Sequence, residues 1–190
     1  MSQDLSAPAL IECVRRYYPL ELEPADPRYE QSAEYQRLEH RRREAVNDSG
    51  PWQRFVQRAE EAFAHCDVVD VTPRPYRASF HCKVFWPQTP GPLDRWREDY
   101  LNCMFSFLAP VYAIHARHSR DDGTERESWM RYPPLPPEFQ PDEARLASLI
   151  ESTLGATRLS NEVLFTRVPG IRPLSMRPQN QSPWLVELLF

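Results

Sequence analysis

The sequence predicts an α+β fold: an antiparallel sheet of about four strands packed against several helices, with a helical N-terminal region. Three observations carry this. Apolar residues recur at helical spacing before residue 66. Tyr76 to Trp86 alternates between apolar and mostly polar positions. Asp121-Asp122-Gly123-Thr124 sets a hairpin turn between two further strand-like runs. No internal repeat or clean boundary interrupts the 190 residues. The chain therefore reads as a single domain, mainly helical over 1–65, sheet-forming over 66–132, and ending over 133–190 in a helix and a docked tail. At this length about 70% of the unfolded surface can be buried, enough for a core without disulfides or metal.

The elements follow in order. Ser6-Ala7-Pro8 opens the first helix, with Ser6 as cap, and Leu10, Ile11, Val14, Tyr17 and Tyr18 lie along one stripe until Pro19 ends it. Leu20 to Pro27 is a connector. Asp26-Pro27 starts a second, mostly polar helix running to about Val46, with Tyr35, Leu38, Ala45 and Val46 as its anchors. The break at Asn47–Pro51 precedes a third helix to about His65, whose face carries Trp52, Phe55, Val56, Ala59, Ala62 and Phe63.

Asp67 to Thr72 reads as a short strand, and Tyr76 to Trp86 as the clearest one. Tyr76, Ala78, Phe80, Cys82, Val84 and Trp86 fall on one face, and Arg77, Ser79, His81, Lys83 and Phe85 on the other. After the Pro-rich loop 87–92, Leu93, Trp96, Tyr100, Cys103, Met104 and Phe107 predict a core helix over 93–108. Val111–Arg120 and Glu125–Tyr132 form the arms of the hairpin, and Pro133 to Pro137 a rigid linker. Pro141 opens another helix, with Leu146, Leu149, Ile150 and Leu154 on one face and Gly155 as its stop; Ser160 caps one more helical turn. The run Trp184–Phe190 is too apolar to lie loose, so it is expected in the core or on the sheet.

Composition narrows the function. With 23 Lys plus Arg against 27 Asp plus Glu, the net charge is −4, which argues against general nucleic-acid binding. Lys83 is the single lysine, so positive charge is almost all guanidinium, suited to carboxylates and phosphates. Five glycines leave little room for a Gly-rich phosphate cradle. No apolar run approaches the ~20 residues of a membrane span, and Met1–Leu5 has no signal-peptide character. A cytoplasmic location with reduced cysteines is expected. Cys13, Cys66, Cys82 and Cys103 form no CxxC, and Cys82 and Cys103 fall on apolar stripes as structural thiols.

Catalytic signatures are wanting. There is no GxSxG and no HExxH. His81-Cys82 are neighbours on a strand and point apart, and His115 and His118 have opposite parity, so neither a metal nor a cofactor is expected. Glu98 and Asp99 are placed toward solvent, and Asp121/Asp122 in the turn. The polar face of the long strand is the most informative feature. If the hairpin joins the same sheet, Arg77, His81 and Lys83 share a face with His115 and Arg117, forming a solvent-side binding surface for a protein. The alternative surface is acidic: Asp121, Asp122, Glu125 and Glu127 at the hairpin. A different reading is an enzyme or ligand-binding domain, with a pocket between the sheet and helix 93–108 and His81 or His115 as acid/base.

The runs Leu154-Gly155-Ala156-Thr157-Arg158-Leu159-Ser160, Val168-Pro169-Gly170-Ile171 and Trp184-Leu185-Val186-Glu187-Leu188-Leu189-Phe190 resemble small bacterial proteins of the immunity type. Those are encoded beside polymorphic toxins and neutralise them by binding. The resemblance covers roughly residues 141–190. It implies a cytoplasmic α+β inhibitor without catalytic residues, a toxin as protein partner, and neither nucleic acid nor membrane as target.

Overall fold

A computed structural model describes residues 4–72, 78–87, 96–121, 126–172 and 181–190, with the backbone alone at 96–98, 121 and 126. The fold is α+β. Helix α1 spans Ala7–Arg15, with Ser6 as N-cap and Pro8 in the first turn. The second predicted helix is two: α2 (Pro27–Gln31) and α3 (Ala33–Asn47). Ser32 divides them. Its backbone is extended, with ψ at 147°, and its hydroxyl accepts the N–H of Tyr35, which makes it the cap of a new helix. Helix α4 (Gly50–Ala62) buries Trp52, Phe55 and Ala59, as its spacing predicts.

Strands β1 (Asp67–Asp70), β2 (Ser79–Phe85), β3 (Trp96–Ser106), β4 (Val111–Asp121) and β5 (Arg126–Arg131) form an antiparallel meander in chain order. Helix α5 (Gln140–Leu154) ends at Gly155, whose φ of +62° supplies the left-handed stop. Strand β6 (Thr157–Arg158) then adds to β4 in parallel, ahead of α6 (Asn161–Leu164) and α7 (Leu185–Leu189). No helix among the described residues is long and apolar enough to cross a membrane.

The core helix expected over 93–108 is instead strand β3, the centre of the sheet. The misreading has a physical cause. Positions 101, 103 and 105 pack on one face and 100, 102, 104 and 106 on the other, and residues from both sets are buried. A strand covered on both sides loses its polar alternation and imitates a helical stripe. The pocket drawn between the sheet and that helix therefore has no wall.

Both sheet faces are covered, rather than one. Phe80, Cys82, Val84, Leu101, Cys103, Tyr112, Ile114 and Ala116 pack with residues of α4 and α5. On the opposite face, Met104, Val111 and Ala113 pack with Leu10 and Val14 of α1 and with Leu185, Leu188 and Leu189 of α7. The apolar tail is thus docked, as its composition predicts, and as a helix. Tyr18 Oη donates to the Leu188 carbonyl at 2.7 Å and fixes it further.

Candidate functional site

The register defines the face that the sequence singles out. Lys83 pairs with Asn102 and Asn102 with His115, so one rung runs Lys83–Asn102–His115 across three strands. The next rung runs Phe85–Tyr100–Arg117–Met130. Lys83, His115 and Arg117 are therefore brought together as expected. His81 lies one rung further along, beside Met104. Arg77, Asp122 and Glu125 lie outside the described residues, and Asp121 is described by its backbone alone.

The expectation that this face is open to solvent is corrected in half of its length. His81 is only 7% exposed. The tail covers it: Ser79 Oγ donates to the Phe190 carbonyl oxygen at 2.7 Å, and His81 Nε2 lies 2.8 Å from Ser79 Oγ and 3.3 Å from that same oxygen. Because the serine proton is used on Phe190, Nε2 carries the imidazole proton and donates. His81 is thus a polar anchor for α7, not a solvent-facing acid or base. His115 is buried too, its ring 5.3 Å from Tyr132. These polar residues alternate as a solvent face does, but a tail about a hundred residues later in the chain covers part of that face, which local pattern does not report.

The far half of the face lies outside both apolar clusters and is chemically distinct. Lys83 Nζ sits 4.1 Å from the Tyr100 ring centroid and 5.6 Å from that of Phe85. Lys83 and Arg117 are half-buried, whereas Met130, opposite Arg117, is 57% exposed. Beneath them Tyr100, Asn102 and Ser119 are buried. Strand β5 is the edge of the sheet, and every residue over 127–131 except Trp129 is exposed. Sequence reasoning missed Tyr100, Asn102, Ser119 and Met130. The first two were hidden by the helical reading of β3; on a strand, the parity of Asn102 with Met104 would have placed it on this face.

The reverse face of the same sheet end holds a second constellation. His118 Nδ1 lies 2.5 Å from Asp99 Oδ1, and Trp129 stacks on the imidazole at 5.4 Å and 24°. Asp99, expected toward solvent, is enclosed, its side chain 10% exposed. Glu127, from the acidic candidate surface, is exposed on this side, with Oε2 3.9 Å from His118 Nε2. Glu127 therefore lies on the face opposite Lys83 and Arg117, whereas Asp121 shares the strand parity of Arg117.

Two clefts lie elsewhere. One of about 970 Å³ is lined by Arg41, Trp52, Phe80, Phe107 and Leu154, and one of about 630 Å³ by Ile114, Pro133, Arg158 and Asn161. Neither is lined by His81 or His115. Among the described residues no group of three or more His, Cys, Asp or Glu is placed to hold a metal ion. The chain matches no family model, no curated protein and no solved structure.

Proposed function

We propose that this protein is a non-enzymatic protein-binding module, an inhibitor of the immunity type that neutralises a toxin by direct contact. One observation carries the reading: Met130, the most exposed large apolar side chain among the described residues, sits directly opposite Arg117 on β5, which is an edge strand among those residues. An unpaired strand edge offers main-chain hydrogen bonds to an incoming segment, and an adjacent apolar side chain with a guanidinium supplies the anchors that interfaces favour. The acidic net charge suits a basic partner at long range and speeds encounter.

The test is a tagged pull-down from the native host with the unmodified chain and with Met130→Asp. We expect one stoichiometric partner that is toxic when expressed alone, is neutralised on co-expression, and is lost with Met130→Asp. A partner retained equally by the variant removes this edge from the reading. Capture of no toxic partner removes the inhibitor itself.

A further inference from the structure

We infer that the Lys83–Arg117 end of this face seats an acidic side chain of the partner, presented on an extended peptide segment. This rests on the protein-binding reading and names the chemistry it recognises. Neither cation forms an ion pair or hydrogen bond with any described residue; Lys83 has only ring contacts. In a chain where acidic residues outnumber basic ones 27 to 23, two half-buried cations around Tyr100 without a counter-ion among the described residues are unusual. A carboxylate is among the groups that such cations attract most strongly.

Two buried polar atoms refine the ligand. Asn102 is 5% exposed and its Oδ1 has no hydrogen-bond partner; Ser119 is 0% exposed and its Oγ has none. Each such atom costs about 1–3 kcal/mol until something satisfies it. The site therefore asks for negative charge, for an N–H to meet Asn102 and for an acceptor to meet the Ser119 hydroxyl. An extended segment of about four residues bearing Asp or Glu supplies all three, since the Asn102 and Ser119 rungs lie four residues apart along the sheet. Acetate supplies the charge without the donor, and a nucleic-acid strand would bring phosphates toward a chain of net charge −4.

The inference is tested on the full chain by NMR titration with N-acetylglutamate N-methylamide, its neutral glutamine counterpart, acetate and a single-stranded oligonucleotide. The expected result is saturable shifts of the Asn102 side-chain amide and the Arg117 Nε–H with the glutamate compound, which is too short to span from Asn102 to Ser119. Affinity should be about tenfold weaker for the glutamine compound and for acetate. Lys83→Gln/Arg117→Gln should lose about as much with a dispersed spectrum, and Lys83→Arg should retain binding. If the double variant does not fold, the glutamate–glutamine comparison on the unmodified chain decides alone. Equal response to both compounds, no saturable shift at these resonances, or saturation by the oligonucleotide alone overturns the inference. Partner capture that still depends on Met130 would then leave the protein-binding reading standing.

Discussion

His118 and Asp99 are directly paired across β4 and β3, with Nδ1 and Oδ1 2.5 Å apart, and their side chains are 14% and 10% exposed. The imidazole Nδ1–H donates to the carboxylate while Trp129 covers the ring. Removing one partner strands the other in a poorly solvated place, whereas removing both does not. Asp99→Ala is therefore expected to lower unfolding free energy by about 2 kcal/mol, and Asp99→Ala/His118→Ala to cost clearly less than the sum of the single changes. Urea denaturation of the four proteins measures this. Strict additivity would show that the contact carries no coupling. Binding of the glutamate compound should be unchanged in Asp99→Ala, because the pair lies on the reverse of the sheet from Lys83 and Arg117.

Cys82 and Cys103 face each other across β2 and β3 inside the core. Burial pushes the Cys82 thiol from its ordinary 9.0 up to about 12, and holds the Cys103 thiol well above the ordinary range. Burial likewise pushes the Tyr29 phenol from 10.0 up to about 12. In each case the folded state keeps a proton that the unfolded chain releases. Above the ordinary value the unfolded state binds fewer protons, so stability falls as pH rises. Stability should be flat with respect to these groups below about pH 9 and decline from there toward about pH 12. Chemical denaturation across that window is the check, and Cys82→Ala should flatten part of the slope. A curve unchanged by that substitution would mean that Cys82 does not take part.

How far the sequence spoke depends on the reach of each signal. Short-range signals were legible. Pro8 in the first turn, the stripe Trp52–Phe55–Ala59, Gly155 as a left-handed stop and Ser160 as a cap all act within one element, and β4 and β5 pair antiparallel as the hairpin reading expects. What failed needed tertiary knowledge. Tyr100 to Phe107 is covered on both faces, so its pattern carries no period that separates strand from helix. Ser79 and His81 alternate as exposed residues do, yet Phe190 lies on them. The candidate face was half legible for the same reason. Lys83, His115 and Arg117 were grouped through strands read correctly, while Asn102 and Tyr100 were lost with the strand that was not.

Gly155 offers a local test of the chain stop. Its φ is +62°, and a Cβ there would meet nothing within 4 Å. The cost of Gly155→Ala is thus conformational rather than steric, about 1 kcal/mol, and Gly155→Asn should cost less because asparagine tolerates this conformation. Thermal melts of the two variants rank them. Equal losses would indicate that space, not backbone conformation, limits the position.

The docked tail makes the sharpest separation between folding and binding. Leu189 is fully buried among residues that include α1 and Met104, and Phe190 is 2% exposed with its carbonyl held by Ser79. Leu189→Ala removes buried methyl groups and leaves a cavity, at a cost of about 2–5 kcal/mol. Ser79→Ala removes the 2.7 Å hydrogen bond to the Phe190 carbonyl and should cost about 1–2 kcal/mol. Neither position reaches Lys83, Arg117 or Met130, so below the melting temperature both variants should capture the partner as well as the unmodified chain does. His81→Gln divides the two roles of that residue: as an anchor its loss lowers stability and spares binding, while as a contact it would do the reverse. Denaturation and pull-down on the same three variants decide, and a loss of capture without a loss of stability in His81→Gln would return His81 to the binding surface.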